Sequence, residues 1–568
     1  MSATNRLSAA QRRESIELMR RQELDVLIVG GGITGAGAAL DAALRGLTVG
    51  LIEQADLASG TSSKSSKLIH GGLRYLEQLN FRLVREALHE RGLLLRRIAP
   101  HLVTPVPFLL PLRHRGWERL YLGAGIALYD RLGGARHVPA GRHLSRSGVA
   151  RVAAALRPGG YIGGIQFHDV QTDDARYTMT VARTARAHGA LIATRIRADD
   201  VTIEDGRAVG VRCTDLETGE GIAIRARHIV TAAGPWTGDL VPSDSSARPG
   251  LRLSKGVHIV LPKSAIEMDT GLLARTTTGL LFVIPWQGFW LVGDTDTEWR
   301  SADAAGVAAD RADVAVLLER LNSVLATPVS AADVLGVFAG LRPLVAADPD
   351  VDTVRLSREH AITSPVPGMS MITGGKFTTY RVMAAQLIDA AATALGDLAI
   401  PASTTDRTPL LGAEGFDAQR SARRRRAESL GLGPAGLERL SRRYGSCASE
   451  LLDLMETRPE LREEIPGGTG TLAAEIVYAC THEGALHLDD VLDRRTRIAI
   501  QTADRGREAL PRVTALMGEA LGWSNTDADR ELHRYELIAG NDSPLPTIGP
   551  PETTAHGVDP FTGERINQ

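Results

Sequence analysis

The chain has 568 residues, of which 43% are hydrophobic, and a formal net charge of −2. That length predicts about two to four domains, and the hydrophobic fraction is sufficient for large buried cores. The near-neutral charge excludes a field that would gather nucleic acid over the whole surface, so no nucleic-acid partner is expected. The three cysteines, Cys213, Cys447 and Cys480, are far apart, which predicts neither a disulfide framework nor a metal site.

Residues 1–23 are predicted to be an N-terminal extension that contains one polar helix. Their mixed charge and their lack of an apolar segment argue against a signal peptide. No run in the chain approaches the ~18 to 20 uncharged apolar residues of a transmembrane helix, so any membrane contact is expected to be peripheral. These features favour the cytoplasm, with the inner face of the cell membrane as the surface that such a protein would meet.

The stretch after this extension predicts a dinucleotide site. A buried strand at 26–29 precedes glycines in the pattern G-x-G-x-x-G, and an alanine-rich helix follows. Such a turn bends sharply at Gly30, lets the backbone approach a pyrophosphate at Gly32, and lets helix and strand pack closely at Gly35. Glu53 ends the next strand, where a carboxylate accepts hydrogen bonds from an adenosine ribose. The predicted contacts are Gly30, Gly31, Gly32, Gly35 and Glu53. The fingerprint alone does not separate FAD from NAD.

A cluster of hydroxyl residues follows the second strand. Thr61, Ser62 and Ser63 can bond phosphate or ribityl oxygens, or they can cap a helix N-terminus, and both roles are compatible. We therefore predict cofactor contacts for these three residues and for Lys67, which follows them.

The middle of the chain alternates between strands of this domain and a second sheet. An apolar strand ending at Gly234 is predicted to pass close to the nucleotide again, although a plain strand with a Gly-Pro turn fits that segment equally well. Residues 251–296 have the β pattern and predict an antiparallel sheet that forms a substrate wall over the cofactor. A further strand, a turn at Gly375 and a helix follow, and N–H groups of that helix are predicted to face the cofactor.

The predicted fold class is α/β, with three structural regions. A Rossmann-like dinucleotide-binding domain spans 24–400 and is made discontinuous by the inserted antiparallel β substrate region. A linker at 401–415 leads to an α-helical C-terminal domain at 416–540. The remaining residues, 541–568, are rich in Pro, Gly and Thr and predict a poorly ordered tail.

Three cations occur at glycine-flanked turns in distant parts of the chain: Arg74, Arg342 and Lys376. If they converge, they form a pocket for a dianion such as a phosphate monoester, and separate surface roles are the alternative. Two histidines accompany such turns. His70 lies in one short segment with paired glycines and Arg74, and His258 lies at a strand start.

Together these motifs resemble the FAD-dependent (respiratory) glycerol-3-phosphate dehydrogenases, a family within the amino-acid-oxidase-like flavoproteins. The resemblance extends over about 25–510 and is most specific in the string TSSKSSKLIHGGLRYL at 61–76. The other matching motifs are the glycine turn at 30–37, DDAR at 173–176, AGPW at 233–236, KGVH at 255–258, GGKFTTYR at 374–381 and DDVLDRRTR at 489–497.

The resemblance implies FAD as cofactor and oxidation of sn-glycerol 3-phosphate at C2 to dihydroxyacetone phosphate, with hydride passing to flavin N5. It also implies a membrane quinone as electron acceptor. For the base that removes the hydroxyl proton, we expect His258 first and His70 second. The residues that the resemblance assigns to substrate are Arg74, Tyr75, Arg342, Lys376 and Arg358, and Arg342 is also counted as catalytic.

The sequence departs from the family at Asp294, where a threonine is usual, and at Thr34, which is often asparagine. The first departure affects expectations about hydrogen bonding near the cofactor. A basic run at 423–426, together with Arg420, could meet anionic lipid, as would suit a quinone-reducing enzyme. A solvated helix face is the competing interpretation of that run. A homodimer is a further expectation.

Other functions fit parts of this pattern. A glycerol-3-phosphate oxidase would keep the flavin and the substrate pocket but would reduce O2 to H2O2. An amino-acid oxidase of the same fold would need an arginine for a carboxylate but no pocket of three cations. A non-catalytic flavin-binding regulator could use the helical C-terminal domain for partners. The sequence leaves open the electron acceptor, the oligomeric state and the strength of membrane association.

Overall fold

The computed structural model describes residues 5–73, 80–114, 116–133, 138–241, 251–277, 279–301, 303–345, 359–396 and 399–541. Three predicted substrate residues, Arg74, Tyr75 and Arg358, lie outside the described residues. The same is true of the predicted tail from residue 542 onward.

A mainly parallel sheet, here called the cofactor sheet, contains the first strand of the dinucleotide motif. Its strands lie in the order His360–Thr363, Met369–Gly374, Gly221–Thr231, Leu24–Val29, Val49–Glu53 and Leu191–Thr194. The first pair is antiparallel and the other neighbours are parallel. The central strand Leu24–Val29 is almost wholly buried because elements cover both of its faces, which explains its unbroken apolar sequence.

Helices cover one face of the cofactor sheet. The apolar faces of these helices form one hydrophobic core with the sheet. The helices are Ile33–Leu44, Asp174–Ala187 and Tyr380–Leu395. The other face packs against the N-terminal helix Ala9–Arg21 and against two strands, Ile196–Glu204 and Arg207–Asp215. These two strands pair with each other, and the second also pairs with the start of Gly221–Thr231.

The N-terminal segment is an integrated part of this domain. Arg12 donates to the carbonyl of Thr194 at 2.7 Å and forms a buried ion pair with Asp215. Leu7 exchanges backbone hydrogen bonds with His482 and Gly484 of the C-terminal helices, each at 3.0 Å. The segment that the sequence identifies only as an extension therefore joins the cofactor sheet to the C-terminal helical region.

A second, largely antiparallel sheet, here called the substrate sheet, lies beside the first. Along it run Thr297–Trp299, Leu251–Pro262, Phe289–Gly293, Gly279–Trp286, Gly271–Thr276, Val103–Leu112, Gly163–Thr172 and Leu68–Ile69. Gly336–Val345 also pairs with Leu251–Pro262, and Arg142–Ser145 pairs with Gly163–Thr172. The helices that accompany this sheet are Phe81–Leu93 with a π-turn at Leu94–Ile98, Trp117–Leu132, Arg146–Val152 and Arg311–Asn322.

The C-terminal region is helical and has its own apolar core. Its helices are Arg420–Ser429, Pro434–Tyr444, Ala448–Thr457, Ala473–His482, Ile498–Gln501, Leu510–Leu521 and Asn525–Asn541, with a π-helical segment at Asp490–Arg495. Residues 401–415 form turns rather than helix or strand, yet they pack on the first domain: Leu410 is 1% exposed, and the Ser403 hydroxyl donates to Asp41.

The α/β fold class with a helical C-terminal region is confirmed. The inserted β region is also larger than expected, because strands from before residue 251, including Val103–Leu112 and Gly163–Thr172, belong to the same sheet. The boundaries at 24, 400, 416 and 540 stay predictions. Within the described ranges, no helix combines the length and apolar character needed to cross a bilayer.

Candidate active site

The glycine turn has the geometry that its sequence predicts. Gly30 has a φ of +114°, and a β-carbon there would lie 2.6 Å from the carbonyl oxygen of Ala232. A β-carbon on Gly35 would lie 1.9 Å from the oxygen of Gly30. Both positions therefore require glycine, the first for conformation and contact and the second for close packing of helix on strand. The contact with Ala232 also places the segment leading to Gly234 directly beside the turn.

Glu53 closes the same turn. Its carboxylate accepts hydrogen bonds from the backbone N–H of Gly31 at 2.6 Å and of Ala55 at 2.8 Å. Desolvation raises the pKa of Glu53, and these two backbone donors oppose that rise. The carboxylate lies at the end of its strand, as the ribose-binding prediction requires. A ribose contact stays a prediction.

The hydroxyl cluster lies against the start of the helix Ile33–Leu44. Ser62 Oγ accepts a hydrogen bond from the N–H of Ile33 at 2.9 Å, so it caps a helix whose own N-cap residue, Gly32, has no side chain. Thr61 donates to the carbonyl of Leu341 at 2.6 Å. Ser63 Oγ lies 3.4 Å from the oxygen of Gly60. The cap is one of the two predicted roles, and phosphate contacts of all three residues stay predictions.

Lys67 lies in a buried ionic cluster. Its ammonium donates to Asp174 at 2.8 Å and to the carbonyl of Ser63 at 3.0 Å, and it lies over the rings of Trp286 and Phe338. Desolvation lowers the pKa of Lys67 to about 8, which the partner carboxylate opposes. Its ammonium thus holds two segments together, and the predicted cofactor contact of this residue stays untested.

Arg497 of the C-terminal region completes this cluster. Its guanidinium donates to Asp173 at 3.0 Å and also bonds Asp174. It donates further to the carbonyl of Ser63 at 3.3 Å. Buried ion pairs therefore join the motif at 489–497 to the motif at 173–176, and a hydrogen bond joins it to the backbone of the hydroxyl cluster.

His258 is 1% exposed and faces the segment that follows the hydroxyl cluster. Its Nε2 lies 2.9 Å from Ser66 Oγ, and its ring stacks on Phe338 with centroids 5.0 Å apart. Desolvation lowers the pKa of His258 to about 4. The imidazole is therefore neutral at physiological pH and can accept a proton.

His70 lies where the substrate sheet approaches the turn after Gly375. Its backbone N–H donates to Thr378 Oγ1 at 3.1 Å, and that hydroxyl lies 3.3 Å from the His70 carbonyl. The next residue, Gly71, donates to the hydroxyl of Tyr129 at 2.8 Å. Thr378 and Tyr129 therefore hold the backbone of His70 and Gly71 by hydrogen bonds, which fixes the position of the His70 main chain.

Arg342 lies on the strand Gly336–Val345, directly across from Ser254. Its guanidinium donates to Asp294 at 2.5 Å and to the carbonyl of Thr295 at 3.1 Å. The same strand carries Phe338, which pairs with His258. Two predicted catalytic residues, Arg342 and His258, therefore belong to one pair of adjacent strands.

Lys376 follows two glycines with positive φ, Gly374 at +73° and Gly375 at +92°, and starts the short turn Phe377–Thr379. The strand before it, Met369–Gly374, contacts the strand that carries Arg342. Of the three cations proposed to converge, two thus lie on neighbouring elements, and Arg74 is outside the described residues.

Sequence reasoning missed several residues of this site. Ser66, which contacts His258, belongs to the same hydroxyl-rich segment as Ser62, and only this local composition could have indicated a role for it. Asp174 is part of a matching motif but carried no assigned role. Phe338 had no signal, because stacking on His258 depends on strand register. No cluster of metal-binding side chains occurs within the described residues.

Models of two protein families match the chain. Residues 25–381 match the family described as FAD dependent oxidoreductase. Residues 403–528 match the C-terminal domain of alpha-glycerophosphate oxidase. The second match begins at residue 403, within the predicted linker at 401–415.

Relatives match nearly the whole chain. It is 47% identical over 530 residues, 93% of the chain and 90% of the relative, to a glycerol-3-phosphate dehydrogenase of Mycobacterium leprae. It is 34% identical to the mitochondrial glycerol-3-phosphate dehydrogenase of Bos taurus, over 93% of the chain and 75% of the relative. Among solved structures, that of the glycerol-3-phosphate dehydrogenase from Bacillus halodurans complexed with FAD aligns with a TM-score of 0.78 at 29% identity. This alignment covers 95% of the chain and 100% of that structure.

Proposed function

Because the chain belongs to the FAD-dependent glycerol-3-phosphate dehydrogenases, we propose that it oxidises sn-glycerol 3-phosphate at C2 and passes the electrons to a membrane quinone. The observation that supports this most is that Arg342 and His258 lie on one pair of strands, against the segment that carries Thr61 and Ser66. A phosphate-binding cation and a neutral imidazole thus border the cofactor motif. Dihydroxyacetone phosphate is the expected product.

FAD is the cofactor of this family, and the residues present fit it. Gly30 and Gly35 leave no room for side chains where the turn is tightest, and a β-carbon on Gly234 would meet no atom within 4 Å. The helix Ile33–Leu44 directs its N-terminus at the turn, where it favours a diphosphate. Bound FAD would supply the hydride acceptor at N5.

His258 is proposed as the base that removes the hydroxyl proton. Its Nδ1 is buried and has no hydrogen-bond partner among the described residues, while Nε2 is paired with Ser66. A phosphate dianion bound nearby would stabilise the imidazolium and so strengthen a base whose pKa burial has lowered. His70 stays the second candidate for this role.

The substrate phosphate is proposed to lie between Arg342 and Lys376. An arginine can present two parallel N–H donors to a phosphate, and a lysine adds a point charge. Arg74, Tyr75 and Arg358 are proposed to complete the pocket, as the family resemblance implies.

A surface of exposed apolar and basic residues supports a peripheral membrane location. We define it as the exposed side chains of the helices Phe81–Leu93 and Trp117–Leu132. On the second helix, Trp117, Leu120, Tyr121 and Leu128 share one face and are 64%, 76%, 55% and 38% exposed. Phe81 on the first is 46% exposed. Aromatic and aliphatic side chains at this exposure suit the interface of a bilayer.

The charge on this surface has one sign. The exposed ionisable side chains of the two helices and the adjoining residues are Arg82, Arg85, His89, Arg96, Arg97, Arg113, His114 and Arg131. The carboxylates of the described part of 81–133, Glu86, Glu90, Glu118 and Asp130, are all buried or half-buried. Anionic lipid is the complementary partner.

The basic run at 423–426 supports this role less well. Arg423 is buried, Arg424 pairs with Glu428 at 2.8 Å, and Arg426 pairs with Asp453 at 2.6 Å. Its charges are largely matched by neighbouring carboxylates, as expected for a solvated helix face. The proposed lipid surface is therefore the aromatic one.

An anaerobic absorbance titration tests the proposed function. Addition of sn-glycerol 3-phosphate is expected to bleach the flavin, and a quinone analogue is then expected to restore it faster than oxygen does. Stoichiometric H2O2 with little quinone reduction would support the oxidase instead. No bleaching would favour the regulator, and bleaching by an amino acid alone would favour the amino-acid oxidase.

A further inference from the structure

The carboxylate of Asp294 lies against the proposed phosphate-binding arginine, Arg342. Its Oδ2 accepts a hydrogen bond from Arg342 at 2.5 Å. The two side chains are 30% and 19% exposed, so the pair is partly shielded from water. A full negative charge is thus built into the wall of a pocket that is proposed to take a dianion.

The backbone around Asp294 holds this charge in place. The Thr295 hydroxyl accepts a hydrogen bond from the N–H of Val257 at 3.0 Å, and the Asp294 carbonyl accepts one from Arg320 at 3.1 Å. Gly293 packs so closely on His258 that a β-carbon there would lie 2.3 Å from the ring. The backbone at Asp294 is therefore held beside the proposed base, and the carboxylate it carries bonds the proposed phosphate-binding arginine.

The contacts of Arg342 leave part of its guanidinium for a ligand. Its Nη1 donates to the Thr295 carbonyl at 3.1 Å and lies 3.4 Å from Ser254 Oγ, and its Nη2 donates to Asp294. Within the described residues, Nε makes no hydrogen bond to another side chain or to the backbone. A phosphate can approach along the Nε and Nη2 edge, where it would share Nη2 with the carboxylate of Asp294.

We propose that Asp294 is a specificity-determining residue that weakens binding of phosphate dianions by competing for Arg342. Like charges placed together in a partly desolvated site repel strongly, and a threonine hydroxyl at this position would add no charge. The inference rests on the proposed function in one respect, which is that Arg342 binds the phosphate group of the substrate.

The test uses the FAD-loaded full chain and the variants Asp294→Asn and Asp294→Thr. Asp303→Asn is the matched control, since Asp303 is exposed and caps its own turn through Ala305 and Gly306. The oxidised proteins are titrated with inorganic phosphate while flavin absorbance is followed. KM and kcat are then measured with sn-glycerol 3-phosphate and with glycerol.

Both Asp294 variants are expected to bind inorganic phosphate about three- to tenfold more tightly than the wild type. KM for sn-glycerol 3-phosphate is expected to fall by a similar factor, with a smaller change in kcat and no fall in KM for uncharged glycerol. Equal or weaker phosphate binding in both variants, with normal flavin spectra, would overturn the inference. So would an equal gain in Asp303→Asn, or no phosphate response in any protein. If the wild type is not reduced by sn-glycerol 3-phosphate, the proposed function fails, yet the phosphate constants still decide the role of Asp294.

Discussion

Ser66 and His258 are 192 residues apart in the chain, and their Oγ and Nε2 atoms lie 2.9 Å from each other. The contact joins the cofactor-motif segment to the substrate sheet and fixes the imidazole in one orientation. The other ring nitrogen, Nδ1, has no partner among the described residues, and it can receive a proton in the tautomer in which Nε2 donates to Ser66.

His258→Ala is expected to lower the rate of flavin reduction by sn-glycerol 3-phosphate about 10²- to 10⁴-fold, because a positioned base contributes that much. Ser66→Ala is expected to have a smaller effect, since it loosens the imidazole without removing it. Stopped-flow reduction under anaerobic conditions measures both. The FAD content should match that of the wild type. Near-normal reduction by His258→Ala, together with a large loss in His70→Ala, would transfer the role to His70.

The pH profile gives an independent check on the same histidine. Burial lowers the pKa of His258 to about 4, so the neutral, proton-accepting form predominates above that pH. After correction for the second ionisation of the substrate phosphate, the acid limb of kcat/KM reports the free enzyme and is expected near pH 4 rather than near the ordinary value of 6.5. A bound dianion stabilises the imidazolium, so the acid limb of kcat should lie at higher pH.

Protonation of His258 also affects stability. The unfolded chain binds this proton at an ordinary pKa of 6.5 and the folded protein only near 4. Stability is therefore expected to fall as the pH drops between these values. Denaturant unfolding at several pH values detects this, and kcat/KM is compared only where the protein stays folded. The substrate phosphate itself gains a proton at about pH 6, so its ionisation is measured separately and the profile is corrected for it. An acid limb near 6.5 that persists after this correction would contradict the burial that lowers the pKa of His258.

Gly35→Ala is expected to reduce FAD binding, because its β-carbon would lie 1.9 Å from the carbonyl oxygen of Gly30. The helix would have to move away from the turn that receives the diphosphate. The ratio of flavin to protein absorbance after purification measures the loss. Gly436→Ala is the matched control, since no atom lies within 4 Å of its β-carbon and it lies in the helix Pro434–Tyr444. Equal flavin content in the two variants would contradict the packing argument.

Asp174→Ala is expected to destabilise the protein by about 3–5 kcal/mol, because it leaves the cations of Lys67 and Arg497 buried without a shared partner. The surface pair of Asp200 and Arg212 offers a control, as both side chains are more than half exposed. Asp200→Ala is expected to cost at most about 1 kcal/mol. Denaturant unfolding measures the free energy of unfolding of both variants. Similar losses would show that the buried cluster stabilises the fold no more than a surface ion pair does.

The sequence predicted those features of the site that depend only on residues close together in the chain. The approach of Gly35 to Gly30 follows from residue spacing alone, and so does the strand–turn–helix around it. Lys67 shows where such reasoning stops. Its place after a hydroxyl-rich segment suggested a cofactor contact, but its ammonium binds Asp174, which is 107 residues away in the chain. The pair of Arg342 and Asp294 likewise depends on how a loop between two strands meets a third strand, and no sequence pattern encodes that register.

The exposed aromatic helix provides the last prediction, on membrane association. Replacing Trp117, Leu120 and Tyr121 together by serine is expected to abolish binding to phosphatidylglycerol vesicles, because the face that would enter the lipid interface is lost. Flavin reduction by sn-glycerol 3-phosphate in solution should persist, while quinone reduction in those vesicles should fall. Co-sedimentation with phosphatidylglycerol and with phosphatidylcholine vesicles separates the charge contribution from the apolar one.

Arg420→Ala with Arg424→Ala provides the matched control for this surface, since both side chains are 70% exposed and already face carboxylates. This double variant is expected to bind vesicles as the wild type does. Loss of binding in the arginine variant, with binding intact in the serine variant, would place the lipid contact on the basic run instead. The aromatic face is favoured because apolar side chains gain free energy by leaving water, whereas a matched ion pair has little left to gain from a lipid phosphate.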